Sequence, residues 1–170
     1  AGTLAPSGGN AQPWRFIVIR DPDLKGQIAA YYLRSWRASY EDPTRPRPDI
    51  SDRVRSSAAD MAEHIQEAPV FIMACIRHDG APSTLSRGGS IFPAVQNLLL
   101  AARGLGLASV LTSLHKRFEG EIKGLLGVPD DVETAALLPI GYPAEGLRYG
   151  PTRRSPVEDV TYRDVWGRMA

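Results

Sequence analysis

The chain has 170 residues, enough for one domain with a buried core, and 43% of them are hydrophobic. Its 20 Lys and Arg residues nearly balance its 19 Asp and Glu residues, so no field of one sign would attract nucleic acid or an anionic membrane. No apolar run approaches the roughly 20 residues that span a bilayer, and one cysteine cannot form an internal disulfide. We therefore predict a single cytoplasmic domain over residues 1–170, with neither nucleic acid nor membrane as a partner.

The first part of the chain predicts a strand followed by a long helix. Phe16 to Ile19 is rich in aromatic and β-branched residues, which is typical of a strand. Asp21 and Pro22 then form a favourable helix start, with a capping side chain followed by a proline in the first turn. The helix is predicted to run towards Tyr40. Three prolines between Asp42 and Asp49 indicate an exposed loop.

The middle of the chain predicts two helices separated by a buried strand. Ser51 can cap a helix in which apolar residues recur at helical spacing. Val70 to Ile76 is continuously apolar, as expected for a strand buried on both faces. A loop is predicted from Arg77 to Gly89. Ser90 can cap the next helix, and Ile91 to Ala102 is apolar nearly all round, which predicts a helix buried on most sides.

The last part predicts two more strands and an arm. Leu107 to Leu111 and Thr134 to Ile140 are apolar strands, with a short helix from Phe118 to Leu126 between them. Ala144 to Ala170 is rich in Pro and Arg without a clear period, so it indicates an extended arm that packs on its own subunit or on a neighbour. This alternation predicts a sheet covered by helices, of either the α/β or the α+β class.

The sequence does not indicate a metal centre or a nucleophile. The histidines at positions 64, 78 and 115 lie far apart, and none has a second His or Cys at ligand spacing. Cys75 falls in the predicted buried strand, where a thiol is inert. Neither of the common glycine-rich phosphate-binding motifs occurs. We therefore expect no metal site, and any phosphate must be held by other means.

A short segment before the first strand holds more polar chemistry than a connecting turn requires. Gly8 and Gly9 would allow the backbone to approach a ligand closely. Ser7, Asn10 and Gln12 supply the donors and acceptors that a heterocycle with alternating carbonyls and nitrogens would need. The alternative is a rigid turn whose side chains bond only to its own backbone.

Two further pairs of residues are candidates for ligand contacts. Thr112 and Ser113 follow a predicted strand, and small polar groups at the carboxyl end of a strand often line ligand crevices. Arg153 and Arg154 could bind a phosphate bidentately. The alternatives are an ordinary strand-to-helix loop for the first pair and a solvated tail for the second.

Taken together, these segments resemble the nitroreductase family. APSGGNAQPWRFIV, from Ala5 to Val18, is similar to that family's flavin-binding loop. SIFPAVQNLLLAARGLGLASVLT, from Ser90 to Thr112, is similar to its central helix and following strand. LPIGYP, from Leu138 to Pro143, resembles a late strand, and RRSPVEDVTYRDVWG, from Arg153 to Gly167, resembles the closing tail. The resemblance covers nearly the whole chain and is weakest from Arg34 to Glu67.

The resemblance implies an α+β fold with a central mixed sheet flanked by helices and an extended C-terminal arm. It also implies a homodimer that binds FMN at the subunit interface and exchanges these arms, residues 144–170, between partners. The buried helix from Ser90 would form much of the dimer core. The flavin contacts that the resemblance implies are Pro6, Ser7, Asn10 and Gln12 in the loop, Leu111, Thr112 and Ser113 beside the ring, and Arg153 and Arg154 at the phosphate.

The implied activity is transfer of a hydride from NADH or NADPH, through the flavin, to a small aromatic acceptor such as a nitroaromatic or a quinone. Because the flavin carries the chemistry, no catalytic side chain is expected. The segment from Arg34 to Arg55 would select the acceptor, with Trp36 and Tyr40 either over the site or in ordinary packing.

Two other functions remain open. One is a flavin destructase-like enzyme that uses reduced FMN and oxygen. The other is a non-catalytic, flavin-free dimeric binding protein. The second is favoured by one departure from the family pattern: members carry a further N-terminal segment with a basic motif for the FMN phosphate, whereas this chain starts at Ala1. Without that segment we expect weaker FMN binding.

Overall fold

The computed structural model describes residues 1–42, 44, 50–80, 83–146 and 154–169. Within these ranges, four strands form one sheet in the order β1-β2-β4-β3, and four α-helices cover it. No helix in the described ranges is both long and apolar enough to cross a bilayer. The α+β class is confirmed. The elements are β1 (Trp14–Ile19), α1 (Pro22–Tyr40), α2 (Asp52–His64), β2 (Val70–Arg77), α3 (Leu85–Gly104), β3 (Ala108–Ser109), α4 (Glu119–Leu126) and β4 (Val132–Gly141).

All pairings among the described strands are antiparallel, so the expectation of a mixed sheet was wrong. β2 pairs with β1 on one side and with β4 on the other, and β4 also pairs with β3. A single crossover helix would have made two neighbouring strands parallel. Here α1 and α2 together return the chain to the end at which β1 stopped, so β2 runs in the opposite direction. α3 alone connects β2 to β3, but these two strands are not neighbours, because β4 lies between them.

α1 begins and ends where the sequence predicted. The Asp21 carboxylate accepts a hydrogen bond from the backbone N–H of Leu24 at 2.9 Å, and Pro22 occupies the first turn. This cap satisfies one of the backbone donors that every helix start leaves unpaired. The helix ends at Tyr40, as expected.

Lys25 was not singled out from the sequence, yet it ties α1 to the turn before β2. Its side chain is buried, and its Nζ donates to the backbone carbonyls of Gln66, Ala68 and Pro69 at 3.2, 2.7 and 3.4 Å. Burial of an ammonium group is costly unless its protons are bonded, and here three acceptors meet them.

α3 begins earlier than predicted. The Thr84 hydroxyl accepts from the backbone N–H of Arg87 at 3.2 Å and caps the helix, so the predicted cap, Ser90, lies inside it. Two adjacent glycines in this first turn disfavour a helix locally. The turn is held by a tertiary contact, because the Arg87 guanidinium pairs with the Glu133 carboxylate of β4 at 3.2 Å.

Each face of the sheet has its own core. One face packs against α1, α2 and α4, and the other packs against α3 and the N-terminal turn. β2 sends alternate side chains to the two cores, which confirms the prediction of a strand buried on both faces. The first core includes Ile28, Tyr32, Phe71, Met73, Ile122 and Leu137, and the second includes Trp14, Ala74, Ile91, Val95 and Leu138.

The strand predicted from Leu107 to Leu111 is much shorter than expected. Ala108 and Ser109 pair with β4, and Val110 and Leu111 then lie exposed. The chain rejoins β4 through a single bridge between Thr112 and Leu137. The short helix that follows is confirmed as α4, although the turn before it, Leu114–Phe118, is a 3-10 helix.

The described part of the arm, residues 154–169, is largely exposed. It contains a short 3-10 helix, Val157–Val160, and a small turn in which Tyr162 bridges to Met169 and packs against the Trp166 ring, with centroids 4.4 Å apart. As expected, this segment has no core of its own. The arm carries exposed apolar residues at Val157, Val160, Val165, Trp166 and Met169.

Candidate functional site

The polar segment before β1 folds into a tight turn with an unusual backbone. Gly9, Asn10 and Gln12 have φ angles of +57°, +55° and +50°, in the left-handed region. This conformation is free for glycine and tolerated by Asn, but it costs a residue such as Gln about 1–3 kcal/mol. The turn is anchored from two sides: the Ser7 hydroxyl accepts from the backbone N–H of Gln12 at 3.0 Å, and the N–H of Gly8 donates to Ser90 on α3 at 3.4 Å.

The side chains of this turn use only part of their hydrogen-bonding capacity. The Gln12 amide donates to the Asn10 amide oxygen at 3.3 Å, so one bond is internal, as the rigid-turn interpretation requires. The Asn10 amide nitrogen and the Gln12 amide oxygen find no partner within the described part of the chain. Pro6, Asn10 and Gln12 are exposed, and Ser7 is half-buried. The turn therefore presents fixed donor and acceptor groups to its surroundings.

Thr112 occupies a fixed and largely buried position beside β4. Its backbone N–H and C=O exchange bonds with Leu137 at 3.0 and 2.9 Å. Its hydroxyl lies 2.8 Å from the Tyr32 hydroxyl of α1. Its chain neighbours, Leu111 and Ser113, are exposed. The predicted strand-end residues thus form a short exposed stretch with one anchored hydroxyl at its centre.

The turn and Thr112 do not meet within one chain. The turn precedes β1, at one edge of the sheet, whereas Thr112 follows β3, at the other edge. Three inter-strand spacings separate them, about 14 Å. The turn also contacts α3 on one face, while the Thr112 side chain contacts α1 on the opposite face. On a single chain, the two segments therefore face different surroundings.

The predicted phosphate-binding pair is only partly described. Arg154 is exposed, and Arg153 lies outside the described residues. Nothing in the described structure brings Arg154 to the turn or to Thr112.

The segment that was expected to select the acceptor is also only partly described, since residues 43 and 45–49 lie outside the described ranges. Trp36 is a core residue whose ring stacks on Tyr40 at 4.3 Å between centroids. For Trp36 the packing interpretation is therefore confirmed. Tyr40 remains half-buried, and its carbonyl accepts from the Arg55 side chain at 3.2 Å.

A charged network joins the turn before α4 to the start of β4, and sequence reasoning missed it. The Lys116 ammonium lies 2.6 Å from Glu119 and 3.0 Å from Glu133, and it also donates to the Thr134 carbonyl at 2.9 Å. Burial raises the pKa of both carboxyls and is the largest single influence. It is outweighed by several hydrogen bonds together, from Lys116 to both groups, from Thr134 to Glu119 and from Arg87 to Glu133, so each pKa lies below its usual value. Because every charge has an opposite partner, the network is structural.

Two buried titratable groups, Cys75 and His115, lie near this network. Cys75 is buried, as the sequence predicted, and burial, with a contribution from Glu119, raises the pKa of its thiol to about 11. Burial, with a contribution from Lys116, lowers the pKa of His115 to about 4, so its imidazole is neutral at pH 7. Among the described residues, no three His, Cys, Asp or Glu side chains come together as a metal site.

Comparison with known proteins identifies relatives that match nearly the whole chain. An iodotyrosine deiodinase of Thermotoga neapolitana is 33% identical over 160 residues, which cover 94% of this chain and 78% of that protein. Iodotyrosine deiodinase 1 of Rattus norvegicus is 28% identical over 94% of this chain, but the chain spans only 57% of the rat protein. A crystal structure of oxidised iodotyrosine deiodinase bound to FMN and 3-iodo-L-tyrosine superposes with a TM-score of 0.69 and 29% identity, covering 95% of this chain and 83% of that chain.

The model of the nitroreductase family matches residues 1–142, which include the polar turn, the whole sheet and all four helices. The fold, the turn and this match agree with one another. The chain belongs to the nitroreductase family.

Proposed function

We propose that the chain is the subunit of a homodimeric, FMN-dependent oxidoreductase that uses NADH or NADPH to reduce a small aromatic compound. The observation that carries this proposal is the placement of the two polar segments on opposite edges of the sheet. A flat heterocycle between two copies would meet the turn of one copy and Thr112 of the other.

The residues present fit a flavin in their chemistry. The turn offers the amide nitrogen of Asn10 and the amide oxygen of Gln12 towards a ring that carries both acceptors and donors. Thr112 offers an anchored hydroxyl. Bound FMN would supply the hydride-transfer chemistry, and this chain's residues would bind, orient and shield the ring. Arg153 and Arg154 are proposed to contact the phosphate.

The arms are proposed to be exchanged between partners. The apolar side chains of residues 154–169 are exposed on the single chain, and Trp166 is among the most exposed of them. Burial of such side chains against a second copy would stabilise the dimer. As before, we propose one domain over residues 1–170 and a cytoplasmic location.

Two classes of acceptor are proposed. The first is a nitroaromatic or quinone. The second is a halogenated phenol, and it is favoured by the named relatives, since the protein that is 33% identical is an iodotyrosine deiodinase. In that reaction NAD(P)H gives a hydride, the carbon–halogen bond is replaced by a carbon–hydrogen bond, and halide leaves. For a nitro group the same hydride and one proton yield the nitroso compound and water.

The experiment begins with FMN titration of the purified full chain, followed by anaerobic addition of NADH or NADPH and then of each acceptor. Iodide release from 3-iodotyrosine and loss of nitroaromatic absorbance distinguish the two classes.

Gln12→Ala should weaken FMN binding about 2- to 10-fold, the range expected for loss of one hydrogen bond. Gln27→Ala, on the exposed side of α1, is the matched control.

The other outcomes separate the alternatives. Dimethylbenzimidazole formed from reduced FMN and oxygen, without turnover of either acceptor, would replace the proposal with the destructase-like activity. A chain that dimerises but binds no FMN would replace it with the non-catalytic binding protein.

A further inference from the structure

Tyr32 forms a buried hydroxyl pair with Thr112. Tyr32 lies on the inner face of α1 with 1% of its surface exposed, and Thr112 is 8% exposed. The two oxygens are 2.8 Å apart. The sequence analysis did not single out Tyr32, because the two residues are far apart in the chain and only the packing of α1 against the sheet brings them together.

The geometry allows either hydroxyl to donate, and the difference in burial between the two residues favours one direction. Within the described part of the chain, the Tyr32 hydroxyl has no partner other than Thr112. Whichever hydroxyl donates, the proton of the other has no acceptor among the described residues, and a buried proton without an acceptor is unfavourable. Burial also raises the pKa of Tyr32, so the phenol keeps its proton at neutral pH. Because Tyr32 is 1% exposed and Thr112 is 8% exposed, the unpaired proton is less costly on Thr112, which favours Tyr32 as the donor and Thr112 as the acceptor.

The Thr112 hydroxyl then retains a proton that is available for another partner. A hydroxyl has one proton, and the described residues offer no second acceptor for it. The backbone of Thr112 is held by two bonds to Leu137, and its β-branched side chain has few rotamers. The remaining proton is thus offered from a fixed oxygen, between the exposed Leu111 and Ser113.

We propose that Tyr32 is a positioning residue that makes the Thr112 hydroxyl a dedicated hydrogen-bond donor to the flavin ring. This inference rests on the proposed function. Without the Tyr32 hydroxyl, the Thr112 oxygen loses the donor that sets its orientation, so its proton could turn towards solvent and the bond to the ring would be made only part of the time. Tyr32 itself touches no ligand.

The test is a double-mutant cycle on the full chain. FMN dissociation constants and the reduction potential of the bound FMN are measured for Tyr32→Phe, Thr112→Val and the double variant. Tyr32→Phe removes one oxygen and keeps the ring, so the chain should still fold. Tyr31→Phe is the matched control, because Tyr31 packs on Phe118, with centroids 5.4 Å apart. Thr112→Ser keeps the hydroxyl and should preserve FMN affinity.

We expect Tyr32→Phe and Thr112→Val each to weaken FMN binding about 2- to 10-fold and to shift the potential in the same direction. The double variant should match Thr112→Val alone, because Tyr32 acts through Thr112. Additive effects, or a Tyr32→Phe chain that binds FMN like the Tyr31→Phe control, would overturn the inference and leave the proposed function intact. An unaltered chain that binds no FMN would overturn both.

Discussion

At the scale of single residues, the polar turn owes its shape to three residues with left-handed backbone, Gly9, Asn10 and Gln12. Gly9 adopts such a conformation without cost, whereas Gln12 does not. The Ser7 hydroxyl accepts a hydrogen bond within the turn, and the Ser90 hydroxyl accepts one from the turn to α3. A strained conformation persists only where the surroundings determine it, and such positions cluster at ligand sites. The turn is therefore suited to present side chains in a fixed arrangement.

Substitution of two neighbouring glycines tests whether the turn has the left-handed backbone described above. A Cβ added at Gly8 or at Gly9 would meet no atom within 4 Å, but Gly9 alone has a positive φ, +57°. Gly9→Ala should therefore lower the free energy of unfolding by about 1–2 kcal/mol through backbone strain. Gly8→Ala should leave it within about 1 kcal/mol of the unaltered chain or raise it slightly. Urea unfolding of both variants measures the difference, and equal values would contradict the left-handed turn.

At the scale of elements, the 3-10 turn before α4 is joined to β4 by a chain of hydrogen bonds. The Thr134 hydroxyl donates to the Glu119 carboxylate at 2.7 Å, so it must accept from the His115 Nε2–H at 3.1 Å. This order fixes the tautomer of His115 and leaves its Nδ1 buried without a partner among the described residues. The imidazole is stable here only while it is neutral.

The burial of His115 predicts a specific loss of stability in mild acid. Its pKa falls from the ordinary 6.5 to about 4 on folding. As the pH drops from 6.5 towards 4, this histidine binds a proton in the unfolded chain but not in the folded chain. The free energy of unfolding therefore falls by up to about 3 kcal/mol. In His115→Gln this dependence should disappear.

Urea unfolding at several pH values measures this dependence. The lowered pKa values of Glu119 and Glu133 act in a lower window, because their stabilisation is lost only as the pH falls below the usual value of 4.5. His78→Gln, a half-buried histidine before α3, serves as the control. If His115→Gln lost stability between pH 6.5 and 5 as steeply as the control, the neutral buried imidazole would be contradicted.

At the scale of the whole molecule, α3 presents apolar side chains on the side away from the sheet. Phe92 and Leu100 are 45% and 59% exposed, although α3 also supplies Ile91 and Val95 to the core. A helix that is apolar on both sides is covered on both sides. In the proposed dimer, the second copy covers this outer surface and completes the flavin site.

The proposed dimer therefore predicts that assembly and FMN binding are lost together. Phe92→Lys and Leu100→Lys should convert the dimer to monomer and abolish measurable FMN binding, because one chain provides only half of the site. Light scattering after size-exclusion chromatography and FMN titration measure the two effects. Val54→Lys, at a 58% exposed position on α2, is the matched control. A monomeric variant that still bound FMN tightly would contradict a site shared between copies.

Much of the architecture was predictable because its signals are local. The cap and proline at Asp21 and Pro22 define the start of α1, and the apolar run from Val70 defines β2. The polar turn was also visible in the sequence, since its glycines and amides are contiguous. These features depend on residues within one or two turns of each other, so propensity and spacing suffice to identify them.

Other features depended on contacts that no local pattern records. The start of α3 at Thr84 is supported by an ion pair from Arg87 to Glu133, and the buried Lys25 finds its acceptors after α2. The strand directions followed from the return of α1 and α2, not from the alternation of elements. The pairing of Tyr32 with Thr112 likewise required the sheet to bring α1 and the segment after β3 together. The sequence by itself determined the fold class, the family likeness and the composition of the turn. The tertiary structure decided which polar groups are paired and which remain available to a ligand, because pairing depends on distance in space and not along the chain.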